Sequence, residues 1–207
     1  VSKLNEHTQQ LKELQSNSRP QVTIIITRGN ERSTRQLPDT HHAMLPKLVA
    51  ALGQGLNVML VGPAGTGKST LAEQAADALE LPFYSLSLGP TTPTSKLFGY
   101  MDATGNYRGT AFRKAWEAGG IMLIDEYDNG HPGLSAELNQ AWAGTIAAFP
   151  DGMVKQHPDF LLVTTANTYG RGADRQYVGR NPIDAATLDR FVTLTVDIDQ
   201  DLEQALA

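Results

Sequence analysis

Residues 62–70 read Gly-Pro-Ala-Gly-Thr-Gly-Lys-Ser-Thr and satisfy the spacing G-x-x-x-x-G-K-[ST]. No other segment restricts the fold as tightly. Gly62, Gly65 and Gly67 free the backbone to curl its N–H groups around an anion, with Pro63, Ala64, Thr66 and Thr70 completing the loop. Lys68 can reach β- and γ-phosphates, and the Ser69 hydroxyl can ligate Mg²⁺. The flanks suit such a loop. Val58–Val61 is an apolar strand entering it, and Leu71, Ala72, Ala75, Ala76 and Leu79 recur at helical spacing behind it. A helix N-terminus therefore points at the phosphates.

A chain of 207 residues suits one α/β domain, or one with a small appendage. Cysteine is absent, which excludes disulfides and thiolate metal sites and fits a reducing, cytoplasmic setting. No apolar run reaches the roughly 18–20 residues of a membrane span, and the N-terminus lacks a signal-peptide pattern. The net charge of −5 gives no overall basic field to recruit nucleic acid. The chain begins at Val1 and stops within Asp201–Ala207, which reads as the first turns of a helix, so a fragment is expected.

Residues 1–20 are polar with a thin apolar stripe and read as a helical extension or linker. Within 21–40, Val22–Thr27 reads as a strand and 28–40 as loop, leading into a core over 41–199. Leu45, Leu48, Val49 and Leu52 define a helix ending at Gly53. Strands are expected over 81–87, 121–124, 160–165 and 191–196. Helices are expected after the cap residue Thr110, around Leu134–Trp142, and over 185–188. Residues 88–109 are too long for a plain connection, and loops of that length tend to be functional. Strands alternating with helices, each strand nearly continuous in apolar residues, imply a parallel sheet covered on both faces.

Ile121–Ile124 runs into Asp125 and Glu126. An acid at the end of a strand beside the phosphate loop organises Mg²⁺, the role read for Asp125. The next acid can polarise an attacking water, which makes Glu126 the candidate general base. Asn167 ends the strand that begins at Phe160, where its amide could hold that water or a γ-phosphate oxygen. His41 and His42 are adjacent rather than three or four apart and do not suggest zinc.

The phosphate loop, Asp125-Glu126, Asn167 and Leu188-Asp-Arg-Phe191 together resemble the AAA+ ATPases, more narrowly their dynein-related and MoxR-like branch. Leu97-Phe-Gly-Tyr100, Gly119-Gly120, His157-Pro-Asp-Phe160 and Ala166-Asn-Thr168 with Gly170 carry the same resemblance, over about residues 41–199. It implies a three-layer αβα core whose five-stranded parallel sheet has the order 5-1-4-3-2, ATP and Mg²⁺ as cofactors, and a homo-oligomeric ring, usually hexameric. On that resemblance Arg190 is the arginine finger for the neighbouring subunit, with Arg171, Arg175 and Arg180 as alternatives. Residues 88–109 correspond to a helix-2 insertion, with Phe98 and Tyr100 as candidates for gripping a substrate, and 146–159 to a hairpin before the Asn strand. Tyr177-Val-Gly179 spells the pore motif of other AAA+ unfoldases but lies where no pore loop is expected. Residues 200–207 would begin a helical lid that is otherwise absent. The implied function is an ATP-hydrolysing core that remodels a partner protein, often of von Willebrand A type or a metalloenzyme needing maturation. A cobaltochelatase-type ATPase subunit, a GTP-driven DNA restriction motor and a nucleotide-gated scaffold are the alternatives.

Overall fold

The β-branched run near the N-terminus pairs locally. In the computed structural model, which describes residues 21–28, 31–37 and 40–206, Thr23–Arg28 (β1) and Glu31–Gln36 (β2) form an antiparallel hairpin with Thr23 opposite Gln36. The loop expected over 28–40 is thus corrected: its first half is a strand. Arg32–Gln36 are exposed on both faces, so the apolar alternation that marks a half-buried strand is missing from the sequence. The expected N-terminal helix or linker at 1–20 lies outside the described residues. The described residues fall into two compact units, one of those within 21–43 and 199–206 and another of 44–198. In the first, Asp199 opens the helix Gln200–Leu206, accepting from the backbone N–H of Leu202 (3.2 Å) and of Ala43 (2.8 Å).

The second unit carries the phosphate loop. Its elements run α1 (Leu45–Gly53), β3 (Val58–Val61), α2 (Lys68–Leu79), β4 (Phe83–Ser87), α3 (Ser95–Phe98) and β5 (Tyr100–Met101). Then come β6 (Tyr107–Arg108), α4 (Ala111–Ala118), β7 (Gly120–Asp125) and α5 (Pro132–Trp142). The last are β8 (Ile146–Phe149), β9 (Gly152–Lys155), β10 (Phe160–Ala166), α6 (Ala185–Leu188) and β11 (Val192–Thr195). Five strands make one parallel sheet in the order β11-β3-β10-β7-β4. Counted along the chain this is 5-1-4-3-2, the expected order. The three inner strands are buried almost throughout, as befits a sheet covered on both faces. The edge strands are not: β4 and β11 alternate or expose their residues, so near-continuous apolarity holds only for the interior.

Close backbone approach explains two glycines. Gly120 opens β7 at φ 119°, and a Cβ there would lie 2.6 Å from the Pro82 carbonyl oxygen. A Cβ on Gly62, where β3 becomes the phosphate loop, would lie 2.0 Å from the Val196 carbonyl oxygen. Neither backbone atom can step aside.

One face of the sheet is covered by an aromatic cluster. Phe112 of α4 stacks at 5.5–6.1 Å centroid separation on Phe98, Trp116, Phe149 and Phe160. Thr110 caps α4 by accepting from the Arg113 N–H, as the sequence suggested. The residues expected to form an insertion make α3 and the β5–β6 hairpin, and those before the Asn strand make the β8–β9 hairpin. The β5–β6 tip is tied by Asp102, whose carboxyl falls to about 2 under hydrogen bonds from Thr104 and Asn106 and the nearby Arg108. The reading of Phe98 as a gripping residue needs correction. It is buried against Phe112 and Phe149, so it holds the insertion down, whereas Tyr100 is 54% exposed. No helix among the described residues is long and apolar enough to cross a membrane.

Removing the Phe112 ring strips four neighbours of their partner at once. Phe112→Ala is expected to lower unfolding free energy by about 3–5 kcal/mol, measured by denaturant titration.

Candidate active site

The phosphate loop leaves β3 and turns through Gly65 (φ 84°) and Gly67 (φ 77°) in the left-handed region, then enters α2 at Lys68. Left-handed backbone is open to glycine without steric cost. The unpaired N–H groups of the first turn of α2 face the loop's concavity, where an anion is favoured. Thr66 folds its hydroxyl onto the Pro63 carbonyl at 3.1 Å.

Lys68 is buried. Its ammonium donates to the carbonyls of Gly62 and Pro63, both at 2.7 Å, and to Asn167 Oδ1 at 3.1 Å, which uses all three of its protons. Burial pulls its pKa below the usual lysine value, against the opposing pull of Asp125, Asp128 and Glu126. Phosphate oxygens arriving in the loop would favour the charged form further.

Five predicted residues, Lys68, Ser69, Asp125, Glu126 and Asn167, meet in a cleft of about 350 Å³. Ser69 Oγ donates to Asp125 Oδ1 at 3.2 Å. A hydroxyl beside one carboxylate is a hard-oxygen set that suits Mg²⁺, which takes its remaining ligands from water and phosphate. Among the described residues no three His, Cys, Asp or Glu side chains gather into a metal cage. Glu126 leaves the end of β7 in left-handed backbone (φ 54°, ψ 44°), which costs a non-glycine residue about 1–2 kcal/mol. Its side chain stays partly exposed at 42%, and Asn129 Nδ2 donates to its Oε2 at 2.9 Å.

Two supporting groups, Thr165 and Asp128, escaped the sequence reading, and a third, Arg180, was read only as an alternative arginine finger. Thr165 Oγ1 accepts the Glu126 N–H at 2.9 Å and donates to Asp125 Oδ1, so one hydroxyl fixes both acids. Asp128 is buried, and its Oδ2 accepts the N–H groups of Asn167 and Thr168, both at 3.0 Å, and the Thr168 hydroxyl at 2.9 Å. Its Oδ1 takes Arg180 Nη1 at 3.1 Å, while Glu126 Oε2 lies 3.5 Å from the same guanidinium nitrogen. Arg180 is therefore engaged within its own chain. The only advance signal for Asp128 was its place in the acidic run 125–128, and its partners lie some forty residues away.

Arg190 stands outside this cleft. It is exposed, donates to the Trp142 carbonyl at 3.3 Å, and among the described residues has no carboxylate partner. Arg171 and Arg175 are exposed in the connection after β10.

Residues 57–191 match the family model described as AAA domain (dynein-related subfamily). Curated relatives include an uncharacterized protein of Staphylococcus epidermidis, 27% identical over 158 residues that cover 70% of this chain and 57% of the relative. An uncharacterized protein of Staphylococcus aureus is 28% identical over the same shares. The chain thus spans a little over half the length of these relatives. Among solved structures, a candidate ATPase of Cytophaga hutchinsonii superposes with a TM-score of 0.62 at 19% identity, covering 79% of this chain and 48% of the other. NtrX of Brucella abortus gives a TM-score of 0.59 at 17% identity, covering 74% and 36%. At these identities the structural likeness concerns the fold.

Asp128→Asn would set an amide N–H against the Arg180 guanidinium. It is expected to reduce unfolding free energy by about 3 kcal/mol or more, read from urea denaturation, because it breaks one side of a buried ion pair.

Proposed function

We propose that this chain, which belongs to the dynein-related subfamily of AAA domains, is the ATP-binding and ATP-hydrolysing core of a MoxR-like ring ATPase that remodels a partner protein. The observation that carries the reading is the convergence of Lys68, Ser69, Asp125, Glu126 and Asn167 on one cleft at the N-terminus of α2. The loop N–H groups and Lys68 would bind the β- and γ-phosphates, with Lys68 exchanging its carbonyl partners for phosphate oxygens. When bound, Mg²⁺ on Ser69 and Asp125 supplies neutralisation of phosphate charge.

Glu126 would accept a proton from the attacking water, and Asn167 would orient that water or the γ-phosphate. Arg190, exposed and outside the cleft, suits a role in the site of an adjacent copy, where a guanidinium can be worth about 10³–10⁵ in rate. Assembly into a ring and a partner of von Willebrand A type belong to the same reading. The exposed Tyr100, Met101, Ile146 and Met153 on the two hairpins give such a partner apolar surface to meet.

Glu126→Gln should keep ATP binding and reduce turnover by about 10²–10⁴-fold. Wild-type turnover in that variant, with binding intact, removes the base assignment. A mixing experiment tests the shared site. Glu126→Gln and Arg190→Ala, each inactive alone, should recover activity when combined, because some interfaces then pair an intact Glu126 with an intact Arg190. Arg190→Ala retaining full activity alone would sink the trans role.

A further inference from the structure

The connection between β10 and α6 touches both halves of the cleft described above. Its base is closed by a bridge between Arg171 and Pro182 and by the Ile183 N–H bonding to the Gly170 carbonyl at 2.9 Å. Its outer turn is held by Asp174, whose Oδ1 accepts the N–H groups of Gln176 (2.8 Å) and Tyr177 (2.7 Å). Between these ties two side chains reach inward. The Tyr177 hydroxyl accepts the Ala64 N–H of the phosphate loop at 3.1 Å. Arg180, with only 12% of its side chain exposed, pairs with Asp128 and lies 3.5 Å from Glu126 Oε2. Asn181 fixes the following step, its N–H on the Asp128 carbonyl at 2.8 Å and its amide on the Gly130 carbonyl at 2.9 Å.

We propose that Tyr177 and Arg180 are positioning residues for hydrolysis, forming a bridge within one subunit that ties the orientation of the Glu126 carboxylate to the phosphate loop. Only Val178 and Gly179 separate them, so their Cα atoms can never be more than about 11 Å apart. The Arg180 guanidinium also lies 5.9 Å from the Tyr177 ring centroid, so the two side chains support each other directly. Glu126 needs such support because it stands in left-handed backbone and is partly exposed. Asn129 Nδ2 donates to the same oxygen, Oε2, at 2.9 Å. The bridge thus leaves Oε1 as the oxygen available to a water. Val178 is 79% exposed at the crest, so its side chain anchors nothing there, and the contacts that hold Tyr177 and Arg180 on the site are polar.

The inference rests on the reading of Glu126 as the base, and the test separates the two. Steady-state ATP hydrolysis is measured on the natural full-length protein with Tyr177→Phe, Arg180→Gln, Arg180→Lys, the Tyr177→Phe/Arg180→Gln pair, and Glu126→Gln as control. Arg180→Gln should lower kcat about tenfold while KM for ATP moves less than about threefold, and Arg180→Lys should recover part of the loss. Tyr177→Phe removes a single oxygen and leaves the fold intact, and should lower kcat by about threefold or more with KM again unchanged. The pair should be no slower than Arg180→Gln alone, since both residues act as links of one bridge. Wild-type kcat in Tyr177→Phe, or losses that multiply in the pair, overturns the bridge while an inactive Glu126→Gln leaves the base assignment standing. A fully active Glu126→Gln overturns both.

Discussion

The parallel pairing of β3 with β10 and of β10 with β7 decides where every chemical group stands. Ala166 lies beside Val61 and Thr164 beside Ile124, so the three inner strands end at one level. From that level the phosphate loop, the acidic pair and Asn167 leave side by side. Strand side chains alternate between faces, so a slip of one residue between β10 and β7 would carry Thr165 away from Asp125 and Glu126. The nearly continuous burial of these strands and the close approaches at Gly62 and Gly120 restrict the pairing.

Asp128 does for the polar part of the site what the register does for the backbone. A buried carboxylate is tolerable only when its lone pairs are filled, and here four donors fill them. Those donors come from the end of β10 and from the connection behind it. Satisfying one carboxylate therefore positions Asn167, Thr168 and Arg180 together.

Much of this was legible because some residue types have few alternatives at a given spacing. The phosphate loop, the apolar approach to Asp125 and the helix behind Lys68 could be read directly, and the sheet order followed from the family resemblance. The β2 strand was hidden because both its faces meet solvent, leaving no periodicity to read. Phe98 misled because an aromatic in a long insertion reads the same whether it faces solvent or packs on Phe112. Thr165 and Asp128 were missed, and Arg180 was read only as an alternative arginine finger, for a different reason. Each acts through a partner thirty-nine or more residues away, and that relation exists only once the sheet has formed. Tyr177 was set aside as a misplaced pore motif, although its hydroxyl touches the phosphate loop.

The polar cluster also has a sign. Lys68 and Arg180 face Asp125, Glu126 and Asp128, which leaves one carboxylate in excess. On the proposed reading, a divalent cation on Ser69 and Asp125 would offset that excess as well as the charge of the phosphates, so metal and nucleotide would complete the site's charge balance together.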